Sequence, residues 1–226
     1  GDDERGYGQS GALGSVTVGE TVQATSWASL LTKNTLLANH QGTTITSITN
    51  PTSGNTISAY AALSANVTAT FNGKLDAAGS GSDSTVSSVT TTSWNTSSTL
   101  SKTFTFASRN QLRYFFNTGG MIRLSWSRTG GTTSSQNTAW TDTLTAAGTI
   151  VLTSDGASKT IAGVAYTGTT KIGGSGTNQI LLTANGIYDI AATPVIYFKQ
   201  IPPSGYGDNE IEVSMSIPSN GTVITI

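Results

Sequence analysis

Apolar residues recur every three or four positions in the first third of the chain and alternate with polar residues in much of the rest. The first helical run contains Trp27, Leu30, Leu31 and Leu37 or Ala38, and the second contains Ile57, Tyr60, Leu63, Val67 and Phe71. This period places the apolar side chains on one face of a helix. Gly42 ends the first run, and a polar loop at 43–55 separates the two. We therefore predict two amphipathic helices that pack together as a hairpin.

The densest cluster of apolar, aromatic and basic residues lies near the middle of the chain. Ser108 and Gln111 have the spacing of a capping box, which opens a helix. Three apolar side chains then share one helical face: Leu112, Phe115 and Phe116. The Gly119-Gly120 pair can take positive φ angles and end the helix, and a strand at 121–126 follows. The alternative is a hairpin with Phe115 and Phe116 on its first strand.

The remaining sequence is predicted to form short strands, separated by turns rich in Gly, Asn, Asp and Pro. We place these strands at 85–94, 99–107, 149–153, 160–166, 179–183, 193–200, 210–217 and 222–226. A short helix interrupts them, with Asn137 as its predicted cap and Gly148 as its end. Its apolar face holds Trp140, Leu144 and Ala147. The predicted fold class is mainly β: an antiparallel β-sandwich with an N-terminal helical segment and short accessory helices.

Changes in composition divide the chain into three predicted parts. Residues 1–19 are acidic and then Gly-rich, which predicts an extended N-terminal arm. Residues 20–76 form a predicted helical assembly segment, and residues 85–226 form the β-sandwich domain. The Gly/Ser-rich stretch at 77–84 is the predicted boundary between the last two parts.

Charge is scarce, since 10% of the 226 residues are charged and the formal net charge is -1. A chain without a basic field is not expected to bind nucleic acid. The sequence has no cysteine, which excludes disulfides and thiol chemistry. No apolar run approaches the roughly 20 residues that a membrane helix needs, so we predict no membrane span. The polar surface must come from Ser, Thr, Asn and Gln, a composition typical of extracellular and virion surfaces.

Residue types that carry enzymatic chemistry are few and scattered. Glu210 and Glu212 share one face of a predicted strand. The pair could act in acid/base catalysis, or it could bind Ca²⁺ together with Asp208 and Asn209. We favour the simpler interpretation, a strand face exposed to solvent. The single histidine, His40, lies at a predicted helix end and cannot build a metal site alone. We therefore predict that the protein is not an enzyme and has no catalytic, cofactor-binding or metal-binding residues.

The two predicted helices carry too many apolar residues for a hairpin to bury alone, because each larger side chain gains about 1.5–3 kcal/mol on leaving water. They need a partner, which is either the chain's own sandwich or the same helices of symmetry mates. The arm can dock on a neighbouring subunit, and arginines beside the aromatic cluster can pair or stack at an interface. The predicted assembly interface contains Tyr7, Trp27, Leu30, Leu31, Tyr60, Leu63, Arg109 and Arg113.

Several stretches resemble a family of virion structural proteins of tailed bacteriophages, described as tail-fibre or baseplate-associated. The first is Glu4-Arg5-Gly6-Tyr7-Gly8-Gln9, and the second is the Trp27-to-Gly42 helix with its ending His40-Gln41-Gly42. The third joins Phe104-Thr105-Phe106-Ala107-Ser108, Phe115-Phe116-Asn117-Thr118-Gly119-Gly120 and Asn137-Thr138-Ala139-Trp140. The ending from Asp208-Asn209 to Gly221-Thr222-Val223-Ile224-Thr225 is also similar, so the resemblance spans most of the chain.

The resemblance implies a structural role in a virion, in the tail, the baseplate or a fibre, and it implies no catalytic residues. The expected partners are copies of the same chain and other virion proteins, with a host surface glycan as an additional partner. A capsid decoration protein and a glycan-binding host-recognition module are the alternative functions.

Overall fold

The computed structural model describes residues 13, 15, 17–52, 54, 60–76, 97–203, 205–218 and 221–226. Its α-helices are α1 (Ala24–Gln41), α2 (Tyr60–Asp76), α3 (Arg109–Asn117) and α4 (Ser135–Ala147), with a 3-10 turn at Ile187–Asp189. The strands are β1 (Thr103–Thr105), β2 (Ile122–Ser125), β3 (Thr149–Leu152), β4 (Lys159–Ile161), β5 (Val164–Tyr166), β6 (Thr169–Ile172), β7 (Asn178–Leu181), β8 (Val195–Gln200), β9 (Ile211–Met215) and β10 (Val223–Thr225). The described residues therefore combine helices with a larger number of short strands.

The chain divides into two compact units. Unit 1 comprises Gly1–Ser82 together with Arg113–Thr118, and unit 2 comprises Asp83–Leu112 and Gly119–Ile226. Within the described residues, unit 1 holds α1 and α2, and unit 2 holds α4 and all the strands. Helix α3 contributes residues to both units.

The predicted helical hairpin of unit 1 is confirmed, because α1 and α2 pack against each other. Helix α1 ends where the glycine predicts: Gly42 has a φ of 79° and its N–H donates to the carbonyl oxygen of Ala38. Helix α2 begins at Tyr60, and the earlier predicted member of its apolar run, Ile57, lies outside the described residues.

The buried side of this hairpin is more polar than the apolar period predicts. Four polar side chains are buried there: Asn34, Gln41, Asn66 and Thr70. The Gln41 amide donates to the carbonyl oxygen of Thr70 across the two helices at 2.6 Å. The Asn66 side chain accepts from the N–H of Thr46 at 2.9 Å and donates to the carbonyl oxygen of Thr46 at 2.7 Å. These two hydrogen bonds connect the segment after α1 to α2. Gln41, Asn66 and Thr70 tolerate this burial because they are paired with main-chain groups.

The Asn66→Ala substitution is expected to lower the free energy of unfolding by about 1–2 kcal/mol, because both polar main-chain groups of Thr46 lose their partner. Asn72→Ala is the matched control, since Asn72 is exposed on the same helix and shares the gain in helix propensity. Urea denaturation of both variants measures the difference between their free energies of unfolding. Equal urea midpoints for the two variants would contradict a stabilising role of the hydrogen bonds between Asn66 and Thr46.

Helix α3 confirms the helical interpretation of the central cluster, and the alternative hairpin is wrong. The Ser108 hydroxyl accepts from the N–H of Gln111 at 3.2 Å, which is one of the two hydrogen bonds of the predicted capping box. Leu112 and Phe116 are buried, and the rings of Phe115 and Phe116 meet edge to face with centroids 5.0 Å apart. The local sequence signals were sufficient to predict this helix, because the N-cap residue, the apolar face and the glycines that end it all indicate a helix at the same place.

The strands of unit 2 form four small antiparallel sheets, in the orders β1-β10, β2-β3-β6, β4-β5 and β7-β8-β9. A single sandwich is not confirmed. The central strand β3 is buried along Ile150, Val151 and Leu152, as a short continuous apolar run indicates. Trp126 directly follows β2, and Phe198 lies on β8. Their rings stack with centroids 6.0 Å apart and an interplanar angle of 19°, so the residue after β2 contacts strand β8.

Two local predictions for unit 2 are wrong, and one strand lies where none was predicted. The predicted strand at 160–166 is a hairpin, because Ala162 and Gly163 both take positive φ and turn the chain between β4 and β5. Strand β6 was not predicted. Helix α4 is capped by Ser134, whose hydroxyl accepts from the N–H of Asn137, so Asn137 lies inside the first turn. The predicted strand at 85–94 lies outside the described residues.

Candidate functional site: an exposed apolar face of the helical hairpin

The helical hairpin of unit 1 exposes apolar side chains that its own packing leaves uncovered. Leu37 on α1 and Val67 and Phe71 on α2 are 47%, 44% and 63% exposed. We call these three residues the apolar face. They line one shallow groove of about 300 Å³, together with Asn34, Gln41 and Thr70. The groove is therefore lined both by buried polar side chains and by exposed apolar side chains.

The groove carries no formal charge among its lining residues. A partner that covers it therefore desolvates no ion, and a contact between two copies of the chain brings no like charges together at this place. Exposed apolar side chains mark interaction sites when they are contiguous and extend over about a few hundred Å² or more.

The structure gives the predicted interface residues of the hairpin different environments. Leu31 and Leu63 are buried, Trp27 and Leu30 are half-buried, and Tyr60 is exposed. Tyr7 lies outside the described residues. Their role in assembly stays a prediction. Leu37, Val67 and Phe71 belong to the same apolar period but are not among the predicted interface residues, because the period alone does not show which of its members remain exposed.

The predicted arginines also differ in environment. Arg109 is exposed and Arg113 is half-buried, with its guanidinium 5.2 Å from the centre of the Tyr114 ring. Of the two later arginines of the cluster, Arg123 donates to the Tyr166 hydroxyl at 3.2 Å and Arg128 donates to the carbonyl oxygen of Gly130 at 3.1 Å. Arg113, Arg123 and Arg128 therefore have partners within the chain.

The paired carboxylates Glu210 and Glu212 flank one cation. Lys199 on β8 lies 2.8 Å from Glu210 and 2.9 Å from Glu212. The hydrogen bonds that Lys199 donates to Glu210 and then to Glu212 raise the pKa of Lys199 above its ordinary value. Within the described residues no group of three or more His, Cys, Asp or Glu side chains is placed to hold a metal ion.

A cluster that the sequence did not reveal joins the buried Ser154 and Lys159 to the half-buried Asp155. The Lys159 ammonium donates to the Ser154 hydroxyl at 3.1 Å and to the Asp155 carboxylate at 2.8 Å, while Ser154 donates to the other carboxylate oxygen at 3.0 Å. Burial alone would raise the pKa of Asp155, but Lys159, the N–H of Ala157 and Ser154 together hold it below its ordinary value. Because the lysine is bound to a carboxylate, the arrangement suits a structural ion pair better than an activated serine.

Among the described helices, none has both the length and the apolar character that crossing a bilayer requires. Comparisons of the chain with protein-family models, with curated proteins and with solved structures found no match.

Proposed function

We propose that this protein is a structural component of a bacteriophage virion, in the tail, baseplate or a fibre, and that it acts through self-assembly rather than catalysis. The observation that carries the self-assembly is the apolar face formed by Leu37, Val67 and Phe71, which is uncharged and lies next to predicted interface residues. The assignment to a virion rests on the sequence resemblance and on the low-charge, Ser- and Thr-rich composition.

In this proposal the apolar face acts together with other contacts, because its own contribution to the free energy of association is small. Its three side chains are about half exposed, so covering them would contribute about 2–4 kcal/mol in all. Association costs about 4–15 kcal/mol in lost freedom of motion. Further contacts must therefore add to the interface. Leu36 and Tyr60 are exposed on the same two helices, and the arm around Tyr7 is a further predicted contributor.

In this proposal unit 2 is the folded body of the subunit, with its two three-stranded sheets as the layers of an antiparallel sandwich. The stacking of Trp126 on Phe198 supports that arrangement, because it joins the neighbourhood of β2-β3-β6 to β7-β8-β9.

The double substitution Val67→Asp with Phe71→Asp is expected to convert the assembled protein into monomers, because four or more carboxylates would be desolvated in each symmetric contact. Size-exclusion chromatography with light scattering measures the mass. Val164→Asp is the matched control, since Val164 on β5 is 45% exposed, close to the 44% of Val67, and lies in unit 2. The control should keep the wild-type mass.

A wild-type protein that stays monomeric at all concentrations, or a double variant with unchanged mass, would refute self-assembly through this face. The location in the particle is tested separately with an antibody against the protein. Immunogold labelling of the tail would support the proposal, whereas labelling of the capsid shell would favour the capsid decoration protein.

A further inference from the structure

A second groove in unit 1 differs in character from the apolar face. It encloses about 470 Å³ between α1, the segment after it, and Tyr114. Amide and hydroxyl groups dominate its lining, which includes Asn34, Asn39, Thr44, Thr46 and Ser47. We call it the polar groove. Its volume lies within the range of about 300–1,000 Å³ that small-molecule sites occupy.

The side chain of Asn34 is the strongest indication of a ligand. Asn34 is only 6% exposed and lines the polar groove, yet its amide makes no hydrogen bond within the part of the chain that the structure describes. The buried amides nearby are satisfied, since Asn66 binds the main chain of Thr46 and Gln41 binds that of Thr70. Because this amide has no partner among the described residues, a polar ligand in the groove can supply its hydrogen bonds.

The chemistry of the groove restricts that ligand. No acidic or basic side chain lines it, so an ionic ligand would find no countercharge there. An amide offers two donors and one acceptor, which match the neighbouring hydroxyls of a sugar, and Asn39 presents a second amide from the same helix. Apolar surface for the faces of a sugar ring comes from Tyr114, Ile45 and Ile48.

From this geometry we infer that the polar groove binds a neutral saccharide, with Asn34 and Asn39 as the hydrogen-bonding residues. The inference is independent of self-assembly, because it concerns a different groove and a different class of ligand. Asn34 lines both grooves, whereas Asn39 lines only the polar one, so Asn39 separates the two functions.

Saturation-transfer difference NMR on the full chain tests the inference with D-glucose, D-galactose and N-acetyl-D-glucosamine as probes. At least one of these sugars is expected to give a saturable signal, and D-glucuronate is expected to give none because its carboxylate would be buried without a cation. The Asn34→Leu variant, which keeps a similar volume, should weaken binding about tenfold or more, since one amide supplies several hydrogen bonds.

Asn39→Ala should also weaken binding while leaving the molecular mass of the assembled protein unchanged, because Asn39 is exposed and outside the apolar face. The matched control is Asn72→Ala, which removes an exposed asparagine from the same hairpin and should bind the sugar like wild type. No saturable signal from any of the three neutral sugars, or equal binding by wild type, Asn34→Leu and Asn39→Ala, would overturn the inference. Mass by light scattering distinguishes such a failure from a failure of self-assembly.

Discussion

Replacing Phe198 by alanine is expected to lower the free energy of unfolding by about 3–5 kcal/mol, the usual cost of removing a fully buried phenyl ring. Phe198 is fully buried on β8, the central strand of the sheet β7-β8-β9. The substitution would also remove the stacked contact with Trp126, and such an aromatic pair is worth about 0.5–1.5 kcal/mol beyond the area it buries. Strands β7 and β9 flank β8 on both sides, so the cavity left by the removed ring cannot collapse fully.

Urea denaturation followed by tryptophan fluorescence measures this loss, because Trp126 reports directly on the altered site. Leu100→Ala is the control, since Leu100 is exposed in the same unit and its truncation should change stability by no more than about 0.5 kcal/mol. A loss below about 1 kcal/mol for Phe198→Ala would contradict the packing of β8 described above.

Asp155→Ala is expected to lower the free energy of unfolding at neutral pH by about 3–5 kcal/mol, whereas Lys159→Met should cost clearly less. The difference follows from exposure, because the Lys159 side chain is 2% exposed and the Asp155 side chain is 29% exposed. Without Asp155, the lysine ammonium remains buried with no opposite charge beside it. Without Lys159, the carboxylate can still be hydrated, and methionine fills much of the space of the lysine stem.

The effect of Asp155→Ala should depend on pH in a defined direction. The pKa of Asp155 is lowered in the folded protein from its ordinary value of 3.8, so the ionised carboxylate stabilises the fold above that value. This stabilisation disappears as the pH falls through the lower folded pKa. Denaturation at neutral pH and at about pH 3 should therefore show a smaller difference between wild type and Asp155→Ala in acid. A difference that is constant with pH, or a larger loss for Lys159→Met, would contradict the ion-pair role.

Much of the local structure could be predicted because its signals are short-range. The end of α1 at Gly42 requires only a glycine that can take positive φ, and the start of α3 requires only Ser108 and Gln111 at the right spacing. The central cluster could be assigned to a helix for the same reason. The turn between β4 and β5 was missed because Ala162 takes a positive φ, a conformation that its residue type does not indicate.

The candidate sites could be predicted only in part. The apolar period located the helical hairpin, but the position of Leu37, Val67 and Phe71 on its outside depends on which residues the other helix covers. The polar groove has no sequence signal, because Asn34 is an ordinary polar residue until α1 packs beside the segment that follows it. Ser154 and Lys159 likewise meet only because β4 brings the lysine back to the turn after β3.

The sequence by itself therefore determined where the helices lie, where many of the strands lie and that charge would play a small part in the surface. These properties depend on neighbours within a few positions along the chain, where periodicity and capping act. The tertiary structure alone decided that Asn66 and Gln41 would be buried, that Phe71 would be exposed, and that the strands would pair in four small sheets. The physical reason is that burial is a relation between surfaces distant in sequence, and a polar side chain can be buried once a distant main-chain group satisfies it.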